Sequence, residues 1–363
     1  MKNYLFNFFL FLLLFCVAIS HQTNAQKKRG EKKEDKKEEK KEDIKKDDTK
    51  KENNKQDNTN AVSDTIKKLR RPLNKEELSN ANVFRKLDEA KIKPDSTFIL
   101  DMPSFCCPFF PKEMGNMVNI QILRMNGVDL KEIDSTIIGR FDHLQVLSVN
   151  NNFLKDLPKQ MSELKNLEEL ELRKNKFLMI PKIIGSLPKL KSLDMSLNLD
   201  LAKTGTIPAE IGNLKTLETL KLEGLMLSKL PASFGNLTNL KYLNFKLNKL
   251  KNIPAEVLKL NNLEVLIMRK NGITTIPNEL SNLKNLKHLD LSANILTTFP
   301  ESILKLTNLE ILNLSDTKIT NYPIQQLGNL KKLKELHLKE NNIKVEDINK
   351  LKNILPNTTQ IFF

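Results

Sequence analysis

Tryptophan is absent from this 363-residue chain, and tyrosine (three), histidine (four) and cysteine (three) are scarce. Without tryptophan and with so little tyrosine, an aromatic base-stacking platform for nucleic acid is not expected. Three cysteines exclude a disulfide scaffold and a multi-cysteine zinc module. Also missing are a Gly-x-x-x-x-Gly-Lys-Ser/Thr phosphate loop, a Gly-x-Ser-x-Gly elbow, a His-Glu-x-x-His helix and a kinase-type His-Arg-Asp run. With no nucleophile beside a base and no ligand cluster at fixed spacing, the chain is expected to be non-enzymatic, to use no cofactor and to hold no metal.

Charge is abundant but unevenly placed. The formal net charge is +15, with 39% apolar and 28% charged residues. Met1 to Asn3 make a short basic start, Tyr4 to Ile19 is almost wholly apolar, and Ser20 to Gln26 is polar. That order reads as an export signal over residues 1–25 with cleavage after Ala25, an uncleaved anchor being the alternative. The apolar run falls short of the ~20 residues a spanning helix needs. Phe15 before Cys16 argues against a lipoprotein signal, which wants a small residue there. Residues 26–71 follow as a mixed-charge linker. Between Lys27 and Asn58, 14 basic and 11 acidic residues leave Ile44 as the only aliphatic side chain. Blocks such as Lys32-Lys33, Glu34-Asp35, Lys36-Lys37 and Glu38-Glu39 place like charges four apart, which opposes a helix and predicts a disordered tether.

Beyond residue 96 the sequence repeats. Leu144-x-x-Leu147-x-Val149-x-x-Asn152-x-Leu154-x-x-Leu157-Pro158 returns 23 residues later as Leu167, Leu170, Leu172, Asn175, Phe177 and Ile180-Pro181. Further units start at Leu190, Leu217, Leu240, Leu263, Leu286, Leu309 and Leu333, and earlier ones at Thr97 and Ile120. These eleven units are numbered 1 to 11 from Thr97, and positions within a unit are counted from its first residue. Leucines three and then two apart put apolar side chains on the inner side of a short strand. No unit can bury that face alone, so neighbours must stack. Position nine is Asn in seven units: Asn152, Asn175, Asn198, Asn248, Asn271, Asn294 and Asn341. An amide there can both donate to and accept from buried backbone where the chain leaves the strand. Phe105, Val128, Leu225 and Thr317 take its place elsewhere and predict interruptions. Nine of the 15 prolines share one position, from Pro111 to Pro323, and suit a turn into an unpaired outer segment.

This pattern resembles the leucine-rich repeat family, in its 23-residue Leu-Pro variety. The resemblance implies an α/β solenoid: curved, with a parallel sheet on the concave side and short helical or extended segments on the convex side. The domain reading is then a helical amino-terminal cap over residues 72–96, repeats over 97–343 and a carboxy-terminal cap over 344–363. Val83-Phe84-x-x-Leu87-x-x-Ala90 has helical spacing ending at Pro94, and Ile348-x-x-Leu351-x-x-Ile354-Leu355 a second helix ending at Pro356. Thr359 to Phe363 add an edge strand. Cys107 falls on an interior position and Cys106 on an outward one, which argues against a bridge between them. Unit 5 carries four extra residues around Leu199 to Thr206, predicting a bulge after its strand.

With no catalytic groups, function falls to the exposed strand face. Variable positions two, three, five, seven and eight form its wall, and the clearest cluster spans three units: Tyr242, Lys246, Val265, Ile267, Arg269, His288 and Asp290, with Arg173 further up the same face. An aromatic, aliphatics and an Arg among charges is the composition of a protein-binding centre. The expected partner is another protein at an exported or surface location. Residues 72–363 keep about half of the basic excess, so an anionic glycan or membrane surface is the alternative partner, and nucleic acid is not expected.

Overall fold

The structure is a computed structural model, and it describes residues 72–203 and 205–363. The export signal and the charged tether lie outside the described residues. Each unit contributes one strand, three or four residues long, and with one strand from each cap they form, among the described residues, a single 13-stranded parallel sheet in chain order. Position four is the register pin. Leu100, Leu123, Leu147, Leu170, Leu193, Leu220, Leu243, Leu266, Leu289, Leu312 and Leu336 pair in sequence, and Ile361 closes the series. All eleven leucines are fully buried. One continuous core runs from Ala90 to Leu355, and Leu144, Leu167 and Leu190 lie in it without exposure. The result is the curved, open solenoid that stacking of half-buried units requires.

After the strand the chain must turn sharply outward. Position eight is left-handed in units 2 to 11, with φ between 53° and 72° at residues as different as Gly224, Asn151, Leu247 and Asp316. Left-handed backbone costs a non-glycine residue about 1–2 kcal/mol. The asparagine that follows offsets this cost. Asn248 Oδ1 accepts from the Leu225 and Leu227 N–H groups at 3.1 and 3.0 Å, while its Nδ2 donates to the carbonyls of Leu222 and Phe245 at 2.8 and 2.9 Å. Asn152 and Asn294 make the corresponding bonds in their own units. Where Val128 or Leu225 replaces Asn, a second left-handed residue follows, Asp129 or Met226. Thr317 retains part of the pattern: its hydroxyl donates to Leu314 O at 3.1 Å but makes no bond back to the preceding unit.

The convex side is built of short 3₁₀ turns. Seven begin directly after the shared proline, whose φ of −61° to −75° needs no adjustment. These turns pack tightly, since a Cβ on Gly185 or Gly212 would overlap the carbonyl of Glu210 or Ser233 in the next unit. In unit 2, Asp134 takes the proline's place and caps the helix Ser135–Ile138, accepting from Thr136 N–H at 2.8 Å. The insertion in unit 5 forms its own 3₁₀ turn, Leu199–Lys203, and buries Leu201.

The amino-terminal cap departs from the helical expectation. Helices occupy Lys75–Ser79 and Leu87–Ile92, but Val83–Phe84 is a strand paired with Ile99 and Leu100. Backbone groups on the first repeat's strand demand a partner, and that demand outweighs the helical spacing of these apolar residues. At the other end, the helix Val345–Ile354 covers the core and Gln360–Phe362 pairs with the strand of unit 11.

Tyr322 yields a stability test. It is buried edge-on against Phe299, with ring centroids 6.1 Å apart, and its hydroxyl has no hydrogen-bond partner among the described residues. Thr317, the polar neighbour that pulls the other way, completes no bond to it, and burial pushes the phenol up to about 12. An unfolded tyrosine ionises near pH 10, so the folded state loses stability as the pH rises from about 10 to about 12. Tyr322→Phe is expected to raise stability by about 1 kcal/mol at neutral pH, because an unpaired buried hydroxyl is removed. The variant also loses the alkaline decline, which urea midpoints at pH 7 and 11 will read.

Candidate functional site

Strand pairing lines the exposed residues into rows. At position three, Tyr242, Val265, His288, Ile311 and Glu335 stand side by side; at position five, Asn244, Ile267, Asp290, Asn313 and His337 do the same. Their neighbours at position four point inward, as alternation along a strand demands. The two rows create an apolar band, Tyr242, Val265 and Ile267 with Ile311 beyond, in which each side chain is half-buried.

A cavity opens where this band meets the turn. Glu223, Asn244, Lys246, Leu247, Ile267, Arg269, Lys270 and Asp290 line a volume of about 580 Å³. Three of its charges are already satisfied. Lys246 Nζ lies 3.1 Å from Glu223 Oε1, and Asp290 Oδ1 accepts from the Ser292 N–H and hydroxyl at 2.9 and 2.6 Å. Arg269 has only a 3.3 Å bond from Nη1 to the Ser292 hydroxyl, and neither it nor Lys270 has a carboxylate within ion-pair distance among the described residues. The wall thus offers two uncompensated cations beside aliphatic side chains. Burial and then the charges of Asp194 and Glu223 push the Tyr242 phenol up, so it remains a neutral donor. Burial holds the His288 imidazole below its ordinary range, with Asp290 and Glu335 pulling the other way.

Of the residues singled out in the sequence, Lys246, Ile267, Arg269 and Asp290 line this one cavity, and Tyr242 and His288 sit in the adjoining row. Arg173 does not join them. It belongs to unit 4, three strands away or roughly 14 Å at the usual strand spacing, and its N–H is bonded to Asn150 Oδ1 at 2.8 Å. Leu247 and Lys270 stand at position eight, and it is the left-handed turn that aims this position at the cavity. His337 has partners of its own. Its Nε2 lies 2.9 Å from Glu335 Oε2, and its ring stacks on Phe362 at 4.3 Å. Among the described residues no group of three His, Cys, Asp or Glu is placed to hold a metal ion.

One ordered feature went unnoticed in the sequence. Position two alternates in sign along eight units: Glu168, Lys191, Glu218, Lys241, Glu264, Lys287, Glu310 and Lys334. Stacking turns this into four cross-strand ion pairs of 2.8, 2.8, 2.7 and 2.6 Å. The hydrogen bond from Lys241 holds the Glu218 carboxyl below its ordinary range, and that from Lys334 does the same for Glu310.

A model of the leucine-rich repeat region matches residues 234–361, the stretch that holds every residue lining the cavity except Glu223. This stretch of the chain is a leucine-rich repeat region. The repeat protein is 32% identical to adenylate cyclase of Schizosaccharomyces pombe over 133 residues, 31% of this chain and 8% of that enzyme. It spans at most 17% of the length of the curated relatives it matches, so their activities do not transfer with the repeats. Among solved structures, an internalin from Listeria monocytogenes superposes with a TM-score of 0.55 at 21% identity, covering 85% of this chain and 88% of that one. That likeness establishes the fold. The plant peptide hormone receptor RGFR1 in complex with RGF2 is similar at 25% identity and a TM-score of 0.51, over 77% of this chain and 47% of the receptor. Among the described residues no helix is long and apolar enough to cross a membrane.

Proposed function

We propose that this leucine-rich repeat protein is a non-enzymatic docking scaffold that binds another protein on the concave wall of units 6 to 9. The observation that carries the reading is the pair of uncompensated cations, Arg269 and Lys270, beside Ile267 and Leu247 in one cavity. A carboxylate joined to an aliphatic group, on a partner's surface or peptide, satisfies both halves. A rigid solenoid holds those side chains without ordering a loop on binding, which keeps the entropic cost low. The similar fold of a plant peptide hormone receptor, RGFR1 in complex with RGF2, supports this class of use. The amino-terminal pattern over residues 1–25 favours export, and with it a partner at the cell surface or outside.

The test compares capture from cell-surface extracts by the full chain and by two charge reversals. Arg269→Glu with Lys270→Glu is expected to weaken a captured partner by about tenfold or more, since losing a close interfacial charge pair costs roughly 2 kcal/mol or more. Lys259→Glu on the convex turn is expected to leave capture unchanged. Equal loss in both, together with binding that collapses as salt rises, would instead assign the surface to an anionic glycan or lipid headgroup.

A further inference from the structure

Unit 1 breaks the pattern at one place. In units 2 to 11 the left-handed residue stands at position eight, whereas in unit 1 it is Phe105, at position nine, with φ of 62°. The hydrogen bond moves with it. Position eight elsewhere donates its N–H to position seven of the next unit, as Gly127 does to Asn150 O and Leu197 to Glu223 O; here Phe105 donates to Gly127 O, one residue late on both sides. The side chain follows the backbone. Other position-nine residues point inward, including the apolar ones, Val128 at 1% and Leu225 at 0% exposure, but Phe105 is 81% exposed. The ordinary register is recovered at Cys107, which is buried in the core at position eleven.

Between the slip and the recovery lies the correction to the cysteine expectation: Cys106 and Cys107 are bonded to one another. In a regular unit, positions ten and eleven diverge, as exposed Phe153 and buried Leu154 do. Cys106 and Cys107 keep that divergence, exposed and buried, while bonded to one another, and the turn slips at the residue just before the ring they close. Units 2 and 6, which also lack the asparagine, keep position eight left-handed and position nine buried, so the missing amide does not explain unit 1.

We infer that Cys106–Cys107 is a reversible thiol–disulfide site that gates Phe105: oxidised, it holds the ring in solvent; reduced, it lets Phe105 return to the interior slot of position nine. Cys106 is exposed, so an incoming thiolate attacks there, and Cys107, inside the core, is the first leaving sulfur. With a dithiol such as dithiothreitol the balance is complete. The Cys106–Cys107 bond breaks, a mixed disulfide forms at Cys106, the reagent's second thiol closes its own ring, and two protein thiols with their protons remain. The oxidised state presents Phe105 together with Phe109, itself 64% exposed, as an aromatic surface that the reduced state halves. The inference stands apart from the concave cavity, since no residue of unit 1 lines that cavity.

The absence of native tryptophan supplies the reporter. In full-length protein carrying Phe105→Trp, reduction with dithiothreitol is expected to shift emission to the blue and to lower acrylamide quenching several-fold; reoxidation reverses both. The same protein with Cys106→Ser is expected to give the blue, protected signal under either condition. Because tryptophan is larger than the slot's native occupant, hydrogen exchange over residues 103–111 of the unsubstituted chain is read in parallel, with protection expected to rise on reduction. Emission and exchange that ignore the redox state, or that respond equally in the Cys106→Ser variant, overturn the inference. So does intact mass showing two free thiols after air oxidation.

Discussion

Replacing Asn294 by Ala is expected to destabilise the solenoid by about 4 kcal/mol or more, since each buried backbone group left without a partner costs roughly 1–3 kcal/mol. The amide serves the preceding unit and its own. Oδ1 accepts from Asn271, Gly272 and Ile273 N–H groups at 3.1, 2.9 and 3.0 Å, and Nδ2 donates to Met268 and Leu291 carbonyls at 3.0 and 2.8 Å. At 4% exposure no water replaces them without opening the turn. Asn294→Thr is expected to cost less, because Thr317 shows that a hydroxyl retains the bond within its own unit. Guanidinium titrations followed by circular dichroism measure both. A shift below about 1 kcal/mol for the alanine variant would show that the turns hold without their amides.

Phe245→Ala is expected to cost about 3–5 kcal/mol, the range for emptying a buried aromatic site. Phe245 is fully buried in unit 7, packed 5.8 Å from Phe234 of unit 6 at a tilt of 35°. Its carbonyl also accepts from Asn248 and Asn271, so a collapse of the void disturbs two amides. Solenoid stability is a sum over neighbouring contacts, and unit 7 is near the middle. The loss is therefore expected to split one cooperative transition into two, with the m-value falling alongside the midpoint. A single transition of unchanged slope would mean that the units on either side communicate past the void.

Much of this architecture is legible in the sequence because its rules are local and recur. Leu147, Leu170 and Leu193 announce the strand register by spacing alone, and the shared proline marks each outer turn. Features that depend on what lies beside a residue are harder to read. Val83 and Phe84 carry helical spacing and become a strand only because the first repeat offers an unpaired edge. Cys106 and Cys107 occupy diverging positions in the repeat, and their spacing does not announce the bond between them. The site divides in the same way. Lys246, Ile267, Arg269 and Asp290 are two residues or one repeat apart and converge as periodicity requires, whereas Arg173 shares their position class but not their place along the solenoid. Lys270 reaches the cavity through a left-handed backbone that no side-chain pattern announces. The sign alternation at position two is plain in the letters, yet its meaning needs the units laid side by side.

That alternation makes the number of units a matter of parity. Excising unit 5 alone would bring Glu168 against Glu218, a repulsion at the join that the later pairs do not relieve; excising units 5 and 6 together would bring Glu168 against Lys241 and leave the order of signs intact. The heritable module of this solenoid is then a couplet rather than a single repeat, and lengthening or shortening by odd steps carries an electrostatic fault that even steps avoid.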